Sequence, residues 1–556
     1  MAKKKVKINI VNLKKVEVEE GMSLKNLVKD FYKGKEKVFG ATVDNKHRTL
    51  DFVIKKDSEI EFLTYSTTYG KEIYKRSLSF ILIHSVRELY KNGRLEIHHS
   101  LGNAFYYDLT IDIPVGEKVV NQIKDKMNEV IKSGKEFERF ELLIKDAIEL
   151  FRKEGYFDKV RLLENVRNLD KVALYKLGDY IDINYGPLVP DASYIDIYDL
   201  KQYNAGILLC FPDPVDPKTI TPQKYHTKLF DIYQESKKWT KILEITNVGR
   251  LNQIIKNSDI SDYIKINEVL HEKKISAIAD EITKKSKEVR IILIAGPSSS
   301  GKTTFSKRVK THLQVNGLFP VTISLDDYFV NREDNPKDED GNFDFESIHS
   351  LDLKLLNKHM VALLKGEEVP IPKFDFTKGK RSKEVHPLRI NENQIIIIEG
   401  IHGLNDELTS AIDSKNKYKI YISPLTQLCL DDYNRISTTD CRLIRRMVRD
   451  HQFRNYPASE TLDRWASVRR GEEINIFPFQ ESADIMFNSS LFYEIPVLKK
   501  FAVPLLEEIT RDDKNFAKAD SLLKFLSLFK SAELSIEEIP PTSLLREFIG
   551  GSSFKY

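Results

Sequence analysis

The sequence predicts a multidomain α/β protein organised around a phosphate-binding parallel sheet, and three observations carry that expectation. At 556 residues the chain exceeds what one hydrophobic core supports, so several folding units are expected. The apolar run Ile291-Ile292-Leu293-Ile294-Ala295 reads as a buried parallel strand that enters Gly296-Pro297-Ser298-Ser299-Ser300-Gly301-Lys302-Thr303 and leaves through a helix beginning Thr304-Phe305-Ser306-Lys307. Two further strand-like runs, 321–325 and 395–398, end in acids, Asp326-Asp327 and Glu399. In a parallel sheet the carboxyl ends of strands are where ligands bind.

Composition narrows the class. Hydrophobic residues make up 41% and aromatics 10%, as in a folded globular protein, and no apolar run reaches membrane-spanning length. The basic start, Met1-Ala2-Lys3-Lys4-Lys5, leads into an alternating strand and not into an export signal, so a cytoplasmic location is expected. Three cysteines, Cys210, Cys429 and Cys441, have no metal-like spacing and predict neither disulfides nor a zinc site. With 87 basic and 83 acidic residues, the net charge of +4 gives no bulk support for nucleic-acid binding.

From the N-terminus, Val6-Lys7-Ile8-Asn9-Ile10 alternates as a half-buried strand, Ser23-Leu24-Lys25-Asn26-Leu27-Val28 reads as a capped helix, and Glu59-Ile60-Glu61-Phe62-Leu63 as another strand. This is a β-grasp pattern. The region resembles the TGS domain that begins threonyl-tRNA synthetases, and the similarity continues into their second, editing-type domain. Its carriers are the segment from His98 through His99, Ser100 and Leu101 to Asp108, similar to that family's I-G-x-x-I-x-N-G-F-Y-Y-D, and Tyr185-Gly186-Pro187-Leu188-Val189-Pro190, similar to R-G-P-H-V-P. Where the family's editing site has His-x-x-x-His this chain runs from Arg76 through Phe80 to Ile81, and where it has Cys-x-x-x-His it has Asn184 and Leu188. Leucine and isoleucine can neither donate, accept nor ligate, so editing chemistry is not expected. His84, His98 and His99 are read as structural. Polar helical segments between about 222 and 285 read as a connector to the loop strand.

The glycine-rich loop fits G-x-x-x-x-G-K-[ST]: backbone N–H groups cradle phosphate, Lys302 reaches the β and γ phosphates, and Thr303 can ligate Mg²⁺. Glu399 stands at a Walker-B-like position. Arg442, Arg445, Arg446 and Arg449 recur at i, i+3, i+4 and i+7, so a helix would present most of them on one face as an anion clamp.

These motifs resemble the uridine kinase and phosphoribulokinase family over about 290 to 500. Ser324-Leu325-Asp326-Asp327-Tyr328-Phe329 is similar to its S-x-D-S-F-Y, Asn342-Phe343-Asp344-Phe345-Glu346 to N-F-D-H-P-D, Ile398-Glu399-Gly400 to F-E-G, and Pro372-Lys373-Phe374-Asp375-Phe376, followed by Arg381, to its Pro-x-Tyr-Asp-Phe strand. Its lid motif resembles the run from Asp440 to Asp450, with Arg454 beyond. The resemblance implies ATP, or GTP, as phosphate donor with Mg²⁺ held by Thr303, Glu399 and Asp326. Lys302, Asp326, Arg442 and Arg446 would be catalytic, with Asp326 the base for a sugar hydroxyl. Gly296, Pro297, Ser298, Ser299, Ser300, Gly301, Lys302, Thr303, Thr304, Arg445 and Arg449 would bind the nucleotide; Asp344, Tyr328, Phe329, Phe374, Phe376, Arg381 and Arg454 would bind the acceptor. Uridine-cytidine kinases have a pyrimidine-reading His where this chain has Gly379, which supplies no side-chain hydrogen bond and predicts open space for a larger base.

The expected divisions are a TGS-like β-grasp domain, 1–66; a degenerate α+β synthetase-editing-like domain, 67–235; a helical connector, 236–285; a P-loop NTPase kinase domain, 286–512; and a C-terminal helical tail, 513–556, with no assignable chemistry. The expected activity is phosphoryl transfer to a nucleoside 5′-hydroxyl. Its rivals are a kinase of another sugar or sugar phosphate and an RNA-binding, nucleotide-dependent regulator acting through the TGS-like half. No membrane partner is expected, and a homo-oligomer is compatible with the sequence.

Overall fold

In the computed structural model, residues 4–555 are described apart from 167–168, 223–225, 258–259, 338–340, 342, 376–377, 427 and 532–535. The first unit is a five-stranded mixed sheet in the order Lys14–Glu19, Lys5–Ile10, Ser58–Thr64, Val38–Val43, Lys46–Arg48. Lys5–Ile10 and Ser58–Thr64 pair in parallel at its centre. Alternation puts Val6, Ile8 and Ile10 inside, where they pack with Leu24 and Leu27 of the helix Leu24–Phe31. Ser23 caps that helix by accepting from Asn26 N at 3.3 Å.

The second unit packs the long helix Thr68–Leu89 and the helix Glu117–Ser133 on a four-stranded antiparallel sheet in the order Asp199–Tyr203, Gly206–Cys210, Ala104–Thr110, Arg94–Ser100. A three-stranded sheet, Tyr180–Ile183, Lys171–Leu177, Glu138–Leu143, lies beside it in sequence. The connector consists of the helices Thr227–Ile242, Val248–Lys256 and Ile260–Lys284. The expected boundary at 235 falls inside the first of these, because Leu229, Phe230 and Tyr233 on that helix fill the space between Tyr106 and Leu208 of the antiparallel sheet and Tyr421 and Met486 of the next unit.

That next unit is a five-stranded sheet, parallel throughout, in the order Val321–Ser324, Ile396–Glu399, Ile291–Ala295, Lys417–Ser423, Ile485–Asn488. Helices cover both faces, which is why its strands are continuous apolar runs. Ile292 and Ile294 pack with Phe305, Val309 and Ile278 on one side; Ile291 and Leu293 pack with Leu356 and Met360 on the other. No helix among the described residues is long and apolar enough to cross a membrane.

The stretch just before the helix Thr438–Arg454 is bound to the N-terminal half. Ile97 N donates to Asp432 O at 2.9 Å and Asp432 N donates to Asp158 Oδ2 at 3.0 Å. Between them the fully buried Lys159 ammonium lies 3.0 Å from Asp182 and 3.2 Å from Asp431. Two carboxylates sharing one ammonium in a dry site hold the halves in a defined register.

Candidate active site

Strand register brings the sequence-predicted acids together. Glu399 is paired with Ile294 on one side and Ser324 on the other, so the ends of three parallel strands meet beside the glycine-rich loop. The loop passes close to the neighbouring strand: a Cβ on Gly296 would stand 2.0 Å from Ile422 O, so no side chain fits there. Lys302 Nζ donates to the Gly296 and Pro297 carbonyls at 2.8 and 3.2 Å. Burial lowers its pKa, while Glu399 and Glu547 act in the opposite direction.

Asp326 is presented by the 3-10 turn Leu325–Tyr328, which Ser324 caps by accepting from Asp326 N at 3.2 Å. Its side chain reaches solvent. The protein crowded behind it, and then Asp327, push its carboxyl above the usual range, with Lys302 and Arg454 opposing. Thr303 Oγ1 donates to Glu399 Oε1 at 3.2 Å, and Glu399 Oε2 is buried with no hydrogen-bond partner among the described residues. An orphaned carboxylate oxygen beside a hydroxyl is an oxygen donor set that suits Mg²⁺.

The arginine stripe splits into two groups with different surroundings. Arg442 is buried and paired through both guanidinium nitrogens with Glu472, while its Nη1 also donates to Ser298 O at 3.1 Å. Arg445 is buried on Glu494, on Ser489 O at 2.8 Å and on Ser299 O at 3.4 Å. These two hold the Ser298 and Ser299 carbonyls of the loop and are neutralised by buried glutamates, so the clamp expected of all four cannot include them. Arg446 donates to Ser298 Oγ at 2.7 Å, and Arg446, Arg449 and Arg454 all face the buried carboxylate of Asp450 at 3.1 to 3.3 Å.

On the acceptor side Phe329 and Phe374 lie 5.7 Å apart at 51°, forming a half-buried aromatic wall. Asp327 Oδ1 accepts from Phe374 N at 3.3 Å and ties that wall to the Asp326 turn. Tyr328 is fully buried, with its hydroxyl against His359 Nδ1 at 3.1 Å, which makes it core. Arg381 lies in the hairpin Val369–Asp375 and Lys380–Leu388, and gives its guanidinium to Phe329 O, Tyr328 O and Asp352 at 3.1 to 3.2 Å, bracing the wall. Asp344 Oδ1 accepts from Glu346 N at 3.1 Å. Phe376 and Asn342 lie outside the described residues. The open space expected at Gly379 is filled: the residue has φ of +65°, and a Cβ there would stand 3.0 to 3.2 Å from the Arg332 side chain.

Sequence reasoning missed Glu472, Glu494 and Glu547. Each is an ordinary helical glutamate by pattern, and only its buried cationic or loop partner distinguishes it. Asp450 stood in the lid motif without a role, although its spacing of four from Arg446 and from Arg454 on one helix signals the pairs seen here. In the N-terminal half, Phe80 and Leu188 are buried in one apolar cluster where an editing pocket would be. Arg76 lies over the Tyr69 ring at 5.1 Å. Among the described residues Glu96, His98 and Asp108 are close enough to share a metal, but the Lys237 ammonium already sits on Asp108.

Residues 291–492 match the family model of the Phosphoribulokinase / Uridine kinase family. A threonine–tRNA ligase of Clostridium kluyveri is 33% identical over 186 residues, covering 33% of this chain and 29% of the ligase. That of Caldanaerobacter subterraneus is 30% identical over 194 residues, 34% of this chain and 30% of the ligase. The match thus spans about three-tenths of the length of these relatives. Among solved structures, a possible uridine kinase from Bacillus stearothermophilus aligns with 39% of this chain and 97% of its own at 18% identity and a TM-score of 0.27. A D-glycerate 3-kinase from Cryptococcus neoformans aligns with 48% and 90% at 16% identity and a TM-score of 0.20. Residues 291–492, which contain the glycine-rich loop and the lid helix, are thus similar to the Phosphoribulokinase / Uridine kinase family, and the N-terminal half is similar to threonine–tRNA ligases.

Proposed function

We propose that the chain transfers the γ-phosphoryl group of ATP to the 5′-hydroxyl of a nucleoside, with uridine the first candidate. The observation that carries this reading is Asp326, an exposed carboxylate with a raised pKa, standing at a strand end within the field of Lys302 and beside the Phe329 and Phe374 wall. A raised carboxyl is a better proton acceptor than a free one, so Asp326 takes the hydroxyl proton as the oxygen attacks γ-phosphorus and the bond to the bridging oxygen breaks. Lys302, Arg446 and Arg449 offset charge on the transferring group, and the two rings supply a face for a base. Thr303 and Glu399 would hold Mg²⁺, which neutralises phosphate charge when bound.

The test is transfer of labelled γ-phosphate by the purified full chain across nucleosides, with ribulose 5-phosphate as competitor. Uridine or another nucleoside should be labelled; labelling of the sugar phosphate alone, or of nothing, overturns the proposal. Lys302→Ala should lower kcat/KM by about 10²-fold or more, the scale of one lost transition-state charge contact.

A further inference from the structure

The C-terminal tail reaches the phosphate loop. Its short helix Arg546–Ile549 places Glu547 so that Oε2 accepts from Thr304 N at 3.1 Å and Thr304 Oγ1 at 2.8 Å. Thr304 is the third residue of the helix Lys302–Val315, so its N–H is one of the donors that a helix start leaves without an intrahelical acceptor. In a loop of this type those donors, together with the positive end of the helix dipole, are what phosphate binds. A carboxylate is the protein anion that most resembles a phosphate oxygen pair, and here it stands on that position.

The backbone that carries Glu547 is firmly anchored. Leu544, Leu545 and Phe548 are fully buried, and Leu544 belongs to the cluster of Phe305 on the loop helix. Arg546 Nη2 donates to Ile536 O at 2.7 Å, Gln452 Nε2 to Ile549 O at 3.0 Å, and Ser543 Oγ to Glu268 at 2.7 Å. Phe548 lies 5.1 Å from the Arg445 guanidinium, which itself holds Ser299 O. Glu547 differs from these neighbours in being only half-buried, so its side chain can rotate away while the tail stays in place. Its charge also acts on Lys302 and Glu399, the other groups that face phosphate or metal.

We propose that Glu547 is an intramolecular competitor of the nucleotide: its carboxylate occupies a phosphate subsite at Thr304 and must swing out when a phosphate enters. Nucleotide affinity is then lowered by the fraction of molecules in which the carboxylate holds the subsite. The tail sets that fraction, which gives the otherwise unassigned C-terminal segment a role in the kinase site. The inference rests on the reading of 291–492 as a P-loop kinase and is independent of which acceptor is phosphorylated.

Calorimetric titration of the full chain with ADP and Mg²⁺ tests it. Glu547→Gln keeps the side-chain shape and removes the charge, and should tighten the ADP dissociation constant about tenfold, equal to about 1.4 kcal/mol. Glu547→Asp withdraws the carboxylate by one methylene and should give a smaller gain in the same direction. Adenosine, which has no phosphate, should bind the wild type and both variants alike. An unchanged or weaker ADP affinity in the variants, or an equal gain for adenosine, overturns the competitor role while leaving the kinase reading intact. Failure of every form to bind ADP or ATP removes the kinase reading and this proposal with it.

Discussion

Replacing Lys159 by methionine would take out the ammonium that, among the described residues, pairs with both Asp182 and Asp431. The side chains of Lys159, Asp182 and Asp431 are 0%, 2% and 0% exposed, so water cannot replace the lost cation. Removing one partner of a buried ion cluster costs about 3–5 kcal/mol, because the remaining charges stay buried and uncompensated. At an m-value of about 2–3 kcal/mol per M, that lowers the urea midpoint by roughly 1–2.5 M. The assay is urea unfolding followed by the fluorescence of Trp239 and Trp465, the two tryptophans of the chain. A pH series supplies the sign. Burial already pushes Asp182 up to about 6, so the folded protein holds a proton that the unfolded chain releases near the ordinary aspartate pKa of about 4. The stability contributed by that proton is complete below the unfolded value and is lost as pH rises through the folded one. Deleting the ammonium raises the folded value further, so the deficit of Lys159→Met should be larger at pH 8 than at pH 5. Adding Asp182→Asn and Asp431→Asn to the variant should recover more than half of the loss. A deficit below about 1 kcal/mol with no pH dependence would show that the cluster is not ionised and refute the reasoning.

Other outcomes follow from the kinase site. Asp326→Asn should lower kcat by about 10²–10⁴-fold and abolish the acid limb of the pH–rate profile. In the wild type that limb should lie above the ordinary carboxylate range, since the Asp326 pKa is raised, and activity should fall as pH drops through it. Glu472→Ala leaves Arg442 buried without its carboxylate and should destabilise by about 3–5 kcal/mol. It should also change Trp465 fluorescence, because the Arg442 guanidinium lies 5.4 Å from that ring. Gly379→Ala should cost about 1–2 kcal/mol through its left-handed backbone alone, measured as a lowered unfolding midpoint.

The positions of Lys302, Asp326 and Glu399 could be read from the sequence because they lie at the ends of regular elements with periodic signals. A continuous apolar run had to be a buried parallel strand, the loop motif had to follow it, and acids at strand ends had to face the ligand side. The β-grasp start and the loss of editing residues were readable for the same reason: alternation and the absence of polar atoms are local properties. The roles of the lid arginines required tertiary structure. Spacing puts Arg442, Arg445, Arg446 and Arg449 near one face and Asp450 four residues beyond Arg446 on the same helix, but that Arg442 and Arg445 meet buried acids depends on Glu472 and Glu494, which come from packing. Gly379 likewise read as vacant space until the fold brought Arg332 against it. Glu547 lies 243 residues from Thr304, and no periodicity encodes a contact at that separation. Sequence by itself determined that the glycine-rich loop follows a buried strand and that Asp326 and Glu399 stand at strand ends, since backbone geometry and apolar patterning are local. Tertiary structure decided which charges are neutralised by the protein and which remain for a ligand, because desolvation and pairing depend on distant segments meeting.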